Sequence, residues 1–173
     1  IRYESGNDVR VHANVLRMQD RVQSITNPNG ALPQENLLGG ADLQLQILEE
    51  LSYSGEFVGS VHTRDMESAM IVPDDVPGWI GDIMPLHSST SVQYSTRHEL
   101  KLRMTDASIT ALYSRVNSDY NSLGSEQLAS DWQEFKLNTR ASLLRRKLNV
   151  SAYLSHRNNN LNDDRFLTTR QVS

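Results

Sequence analysis

Five histidines, His12, His62, His87, His98 and His156, are the side chains in this sequence best suited to hold a metal or move a proton near neutral pH. A transition-metal centre needs three or four such ligands brought together. His62 and Asp65 stand three apart, His98 and Glu99 are adjacent, and His87 lies between these pairs in the chain. Neither spacing matches HExxH or a related metalloenzyme pattern, in which two histidines one helical turn apart share a face. A metal-dependent hydrolase drawing on His62, Asp65, His87 and His98 is therefore carried as an alternative function. The simpler account is five scattered histidines, with no metal and no cofactor.

The other chemical signatures are equally thin. A serine nucleophile needs a strained turn of the GxSxG kind, and the Ser88-Ser89-Thr90 run after His87 is only polar. Gly39-Gly40 is not followed by GK[ST], and no GxGxxG occurs, so no phosphate-cradling loop is visible. Asn160, Asn162 and Asp164 have the first spacings of a calcium loop, but Arg165 replaces its glycine and Gln171 its twelfth-position acid. Asn149-Val150-Ser151 is a glycosylation sequon with nothing else pointing to a secretory setting.

Charge is more informative than motif. Residues 31–96 carry ten acids and one base, whereas residues 97–157 carry ten bases and six acids. This division suggests a dipolar subunit whose acidic part meets the basic part of the next copy. Fourteen of the seventeen bases are arginine, whose planar fork suits interfaces. Lys136, Arg140, Arg145, Arg146, Lys147 and Arg157 are close enough in sequence for a phosphate-binding strip. Nucleic acid is carried as an alternative partner, against a pI of ≈ 5.7. Cysteine is absent, which removes disulfides and thiolate metal sites. No stretch approaches the ~20 apolar residues of a membrane-crossing helix, so no transmembrane segment is expected. No charged, then hydrophobic, leader is visible, although the first residue is Ile1 and a removed leader is compatible with that.

Spacing of apolar residues then suggests the elements. In Thr105–Leu148, Ile109, Leu112, Tyr113, Val116, Tyr120 and Leu123 recur at steps of three and four, followed by Leu128, Trp132, Phe135, Leu137, Ala141, Leu144 and Leu148. This reads as two helices broken at Asn121–Gly124 and folded into a hairpin, with Ser125 capping the second. Val11, Val15, Met18, Val22 and Ile25 suggest another helix over Asp8–Ile25. Thr26–Gln34 is a proline- and glycine-punctuated loop, and Glu35–Leu51 is read as a helix from about Ala41. Ser52–Val72 reads as short strands interrupted by Gly55 and Gly59; Val92–Met104 alternates as a half-exposed strand; Asn149–His156 is one more. Pro73–Pro85 is a loop with an apolar load, Val76, Trp79, Ile80, Ile83 and Met84. Arg157–Asp164 is a polar loop, and Arg165–Ser173 a tail.

The expectation is an α+β fold: a small, mostly antiparallel sheet packed against the C-terminal helical hairpin and the N-terminal amphipathic helix. Residues 1–30 form a helical arm, 31–157 a single domain, and 158–173 a polar loop and tail. The expected function is that of a non-enzymatic structural subunit in a larger assembly, such as a phage or viral particle or a secretion machine. Its partners would be copies of itself and other protein subunits. Trp79, Ile80 and Ile83 would insert into a neighbour, tryptophan being the residue type in which binding energy most often concentrates. Arg140, Arg145, Arg146 and Lys147 would meet an acidic surface.

Overall fold

The structure is a computed structural model and describes residues 2–5, 8–21, 32–71, 74, 76–118, 120, 130–145, 147–161 and 170–172. Its strands are β1 (Arg2–Ser5), β2 (Val9–Gln19), β3 (Glu35–Gln46), β4 (Leu51–Thr63), β5 (Thr90–Arg103), β6 (Ala107–Val116), β7 (Trp132–Leu143), β8 (Leu148–Asn159) and β9 (Arg170–Val172). They form one antiparallel sheet in which each strand pairs with the next in sequence, seven long strands flanked by a short one at each edge. Among the described residues the only helical element is a single 3₁₀ turn, Gly78–Asp82.

This overturns the α+β expectation. Of the N-terminal helix expected over Asp8–Ile25, Val9–Gln19 is strand β2, paired to β3 from Val9↔Leu45 to Gln19↔Glu35, and residues 22–25 lie outside the described residues. Residues 1–30, expected as a helical arm, supply β1 and β2 of the common sheet. The helix expected from Ala41 is the second half of β3. The helical hairpin is β6, β7 and the start of β8. The misreading has a definite cause. In β6, Ile109, Ala111 and Tyr113 lie on one face of the sheet, while Leu112 and Val116 lie on the other. Picking apolar residues from both faces produces steps of three and four in a chain whose true period is two. Met18 and Val15 do the same in β2.

Other readings hold. Of the strand expected over Val92–Met104, all but Met104 lies in β5, and Asn149–His156 lies in β8. The short strands expected over Ser52–Val72 are corrected: Ser52–Thr63 belongs to the single strand β4, whose ladder runs without a break through Gly55 and Gly59. The Asn121–Gly124 break, the Ser125 cap, Arg146, residues 26–31 of the first loop, and residues 165–169 and 173 of the tail lie outside the described residues.

The connections alternate in length. At one end of the sheet they are short: residues 47–50, 104–106 and 144–147. At the other end they are long: residues 20–34, 64–89, 117–131 and 160–169. The segment 64–89 folds back on the sheet and forms most of its compact core. Val76, Ile80, Met84 and Leu86 bury themselves with Val61, packed against Leu37 and Val92. Asp131, fully buried with φ 67°, ties two other long connections together. Its N–H donates to the Asn117 carbonyl (3.1 Å), and its Oδ1 accepts from the Leu161 N–H (2.7 Å). Beyond these points most large apolar side chains stay open, Val15 at 75% and Leu100 at 43% exposure among them. The sheet does not cover its own apolar face.

Candidate functional site

The register divides the long strands β2–β8 into two chemically opposite faces, because directly paired residues point the same way. One face carries eleven charged side chains: Arg10, Asp42, Glu56, Arg97, Glu99, Lys101, Arg103, Glu134, Lys136, Arg140 and Arg157. The other carries three, Arg17, Glu35 and Arg115, all towards the long-loop end. Between that end and the short turns, the second face is apolar or neutral throughout. On β5 it presents Tyr94, Thr96, His98, Leu100 and Leu102; on β7, Phe135, Leu137, Thr139, Ala141 and Leu143; on β8, His156, Leu154, Ala152, Val150 and Leu148.

The apolar face has an aromatic upper margin. Phe57 stacks on Tyr94 with ring centroids 5.8 Å apart, and Arg115 lies over Tyr94 at 5.7 Å. Tyr53, His98 and Tyr113 stack side by side across three strands, at 6.1 and 6.3 Å. The polar atoms here are paired among themselves. The Thr96 hydroxyl donates to the Glu56 carbonyl (3.0 Å), so its lone pair faces His98 Nε2 at 2.8 Å. That places a ring proton on Nε2; in the neutral ring Nδ1 then accepts from the Tyr53 hydroxyl at 2.7 Å. Both ring nitrogens thus have a partner on the same face.

The β4 glycines make room for these rings. A Cβ on Gly55 would meet Tyr53 Oη at 2.5 Å and its ring carbon Cζ at 3.0 Å, so the tyrosine lies across the glycine two residues on. Such cover of a strand glycine by an aromatic ring is a known stabilising device. Gly39, in contrast, has open space where its Cβ would be. Gly39→Ala should therefore stabilise the fold by about 0.4–1 kcal/mol through the unfolded chain. Gly55→Ala should destabilise it by about 1 kcal/mol, because the ring must leave His98. Urea unfolding of both variants checks the opposite signs.

The charged face is concave. A groove of ≈ 500 Å³ opens over Arg10, Gln44, Ser52, Ser54, Glu99 and Lys101. A neighbouring one of ≈ 440 Å³ lies over His12, Asp42, Glu56 and Arg97. Across the charged face opposite charges are interleaved: His12 Nδ1 meets Asp42 Oδ2 at 2.9 Å, Lys136 meets Glu134 at 2.8 Å, and Lys101 pairs with Glu99. Arg157 lies over the Trp132 ring at 4.6 Å. Tyr120, from the connection 117–131, sits close enough to this side that burial first, and the Glu56 carboxylate second, raise its hydroxyl pKa above the usual value. Seven bases and four acids give this face a formal charge of +3 (7 − 4), although the whole chain is −4.

The residues singled out from sequence are dispersed. Ile80 is buried at 3%, inside the chain's own cluster, while Trp79 and Ile83 on either side are 64% and 47% exposed. Arg140 lies on the concave face of β7, opposite Ser108 and Ser151. Arg145 and Lys147 are exposed in the β7–β8 turn, Arg145 with φ 55°. His62 and His98 lie on opposite faces of the sheet. His62 pairs with Gln34 and His87 donates to the Ser68 carbonyl, and among the described residues no three metal-ligating side chains converge. Sequence reasoning missed the two-faced wall itself and its row of Tyr53, Phe57, Tyr94, His98, Tyr113 and Phe135. The signal was present as Tyr53-x-Gly55-x-Phe57-x-Gly59, an aromatic–glycine alternation at period two. No protein-family model, no curated protein and no solved structure matches this chain.

Proposed function

We propose that this chain forms part of the wall of a transmembrane β-barrel, with the apolar face towards lipid and the charged concave face towards the lumen. The observation that carries the reading is the partition of charge, eleven side chains on one face against three on the other. A bilayer tolerates strands only where backbone groups are paired and lipid-facing side chains are uncharged. No described helix is long and apolar enough to cross a membrane, a fact that bears on helices alone.

Dimensions agree. Crossing takes ~9–11 residues per tilted strand, and β2–β8 run 10–14 residues. Along β5 the band from Tyr94 to Met104, one residue past the strand, covers ten residue steps, about 34 Å at ~3.4 Å each. A tilt of ~40° reduces this to about 26 Å, close to the ~25 Å apolar belt of such barrels. Short turns at one end and long loops at the other, with an aromatic girdle near one margin, are features of the same architecture. Nine strands in a meander leave β1 and β9 running in the same direction. Antiparallel closure of the wall accordingly needs at least one further strand.

A second reading keeps the structural subunit expected from sequence: the exposed apolar face is covered by other subunits in water. The pairing of Tyr53, His98 and Thr96 among themselves and the height of the band favour lipid. The absence of cysteine makes the test clean, since each introduced cysteine is unique. With the chain reconstituted in vesicles, cysteines at Glu99 and Lys101 should react with a water-soluble maleimide. Cysteines at Leu100 and Leu102 should resist it, and a fluorophore attached to them should be quenched by lipid-borne nitroxide. Uniform labelling along residues 99–102, with no quenching by lipid, sinks the membrane reading.

A further inference from the structure

The exposed apolar residues of the 64–89 segment have no role in the wall itself. We propose that this segment is an interfacial anchor, setting Trp79 and Ile83 into the headgroup region of the bilayer beside the barrel. The inference rests on the barrel reading and adds a lipid contact outside the wall. Its basis is the side of the sheet on which the segment folds. Val76, Ile80, Met84 and Leu86 pack on Leu37, Val61 and Val92, and all three of these lie on the apolar face. The segment thus leans over the lipid side and leaves the lumen to other connections.

Its position along the strands fits as well. Val92 is two residues from Tyr94 and Val61 four from Phe57, the stacked pair at the margin of the apolar band. Two residues of strand are about 7 Å. The Gly78–Asp82 turn holds Ile80 inward through this packing and presents Trp79 and Ile83 outward. Met70 and Ile71, at the start of the same connection, are also exposed. An indole has an apolar body and one donor, and it concentrates where hydrocarbon gives way to headgroups. Asp65, Glu67, Asp74, Asp75 and Asp82, against the single base Arg64, make the segment acidic in sequence. The anchor therefore works by apolar insertion and does not require anionic lipid.

The experiment uses fluorescence in zwitterionic phosphatidylcholine vesicles. The chain has two tryptophans, and Trp132 lies on the opposite, concave face. Trp132→Phe leaves Trp79 as the sole reporter; if that variant does not fold, the difference between wild type and Trp79→Phe supplies the same signal. Trp79 should emit to the blue of its position in urea. A nitroxide near the glycerol backbone should quench it more than one near the acyl terminus, and iodide should quench it less than in the unfolded chain. A second reporter, Leu100→Trp in a Trp79→Phe, Trp132→Phe background, should be quenched most by the deep nitroxide. Deep quenching at residue 100 with a water-like, iodide-accessible Trp79 overturns the anchor alone. Absence of lipid quenching at both sites overturns the barrel wall and the anchor with it.

Discussion

Leu100→Arg is expected to cost about 2–4 kcal/mol of stability in a bilayer, the penalty for a cation at the midplane on the lipid face of a barrel. Leu100 sits near the centre of the Tyr94–Met104 band on β5, between Tyr53 of β4 and Ala111 of β6. It is 43% exposed, so in water an arginine there would be nearly free, within about 0.5 kcal/mol. The size of the effect thus reports what solvates the face. Depth provides an internal control along the same strand: Met104→Arg, at the short-turn margin, should cost only about 0–1 kcal/mol. Facing supplies another. Thr110→Arg lies on the concave face between Lys101 and Asn138 and should change stability by about 0.5 kcal/mol or less. Urea unfolding from vesicles, followed by far-ultraviolet circular dichroism, reads all three. Equal, small effects at residues 100, 104 and 110 would remove lipid from the account. A large penalty at both 100 and 104 would point to a protein neighbour covering the whole face.

What the sequence disclosed depended on how cleanly each strand separates its faces. β5 was legible because Leu100 and Leu102 alternate with Glu99, Lys101 and Arg103, leaving one consistent period. β6 and β2 were not, because their concave faces also carry apolar residues, Leu112 and Val116 in one, Leu16 and Met18 in the other. A helix and such a strand then offer the same spacings, and strand length alone cannot separate them. β4 was half legible: its glycines resembled interruptions, yet Gly55 is where the Tyr53 ring lies. The charge halves were read along the chain, whereas the structure sorts charge across the sheet. Arg97 and Glu56 belong to opposite halves of the sequence and are directly paired neighbours on one face. The candidate surface was hidden for the same reason. A wall becomes visible only when register sets His98 beside Tyr113 and Gly55, over which the Tyr53 ring reaches His98, and no local window contains residues 45 and 60 positions apart.

That row supports a second large effect. Tyr53→Phe removes the hydroxyl 2.7 Å from His98 Nδ1, which in the neutral ring leaves an acceptor bare on the face that the barrel reading turns towards hydrocarbon. The expected loss is about 1–3 kcal/mol, the desolvation cost of an unsatisfied buried polar atom. Phenylalanine keeps the ring over Gly55 and beside His98, so packing changes little. The asymmetry of hydrogen bonding then predicts the double variant. Adding His98→Phe to Tyr53→Phe removes the orphaned acceptor, frees the Thr96 oxygen while the Thr96 hydroxyl keeps the Glu56 carbonyl, and should restore most of the stability. The cycle should thus show coupling of about 1–2 kcal/mol, of the sign that makes the pair less damaging than the sum of the singles. In water an uncovered Nδ1 would bind solvent, Tyr53→Phe would be nearly neutral, and the coupling would fall towards zero. Running the same cycle on chain held in vesicles, with the urea midpoint and slope both recorded, therefore asks a backbone-independent question of the lipid-facing assignment. A coupling near zero with an unchanged slope would mean that water reaches His98, which a wall turned towards lipid does not permit.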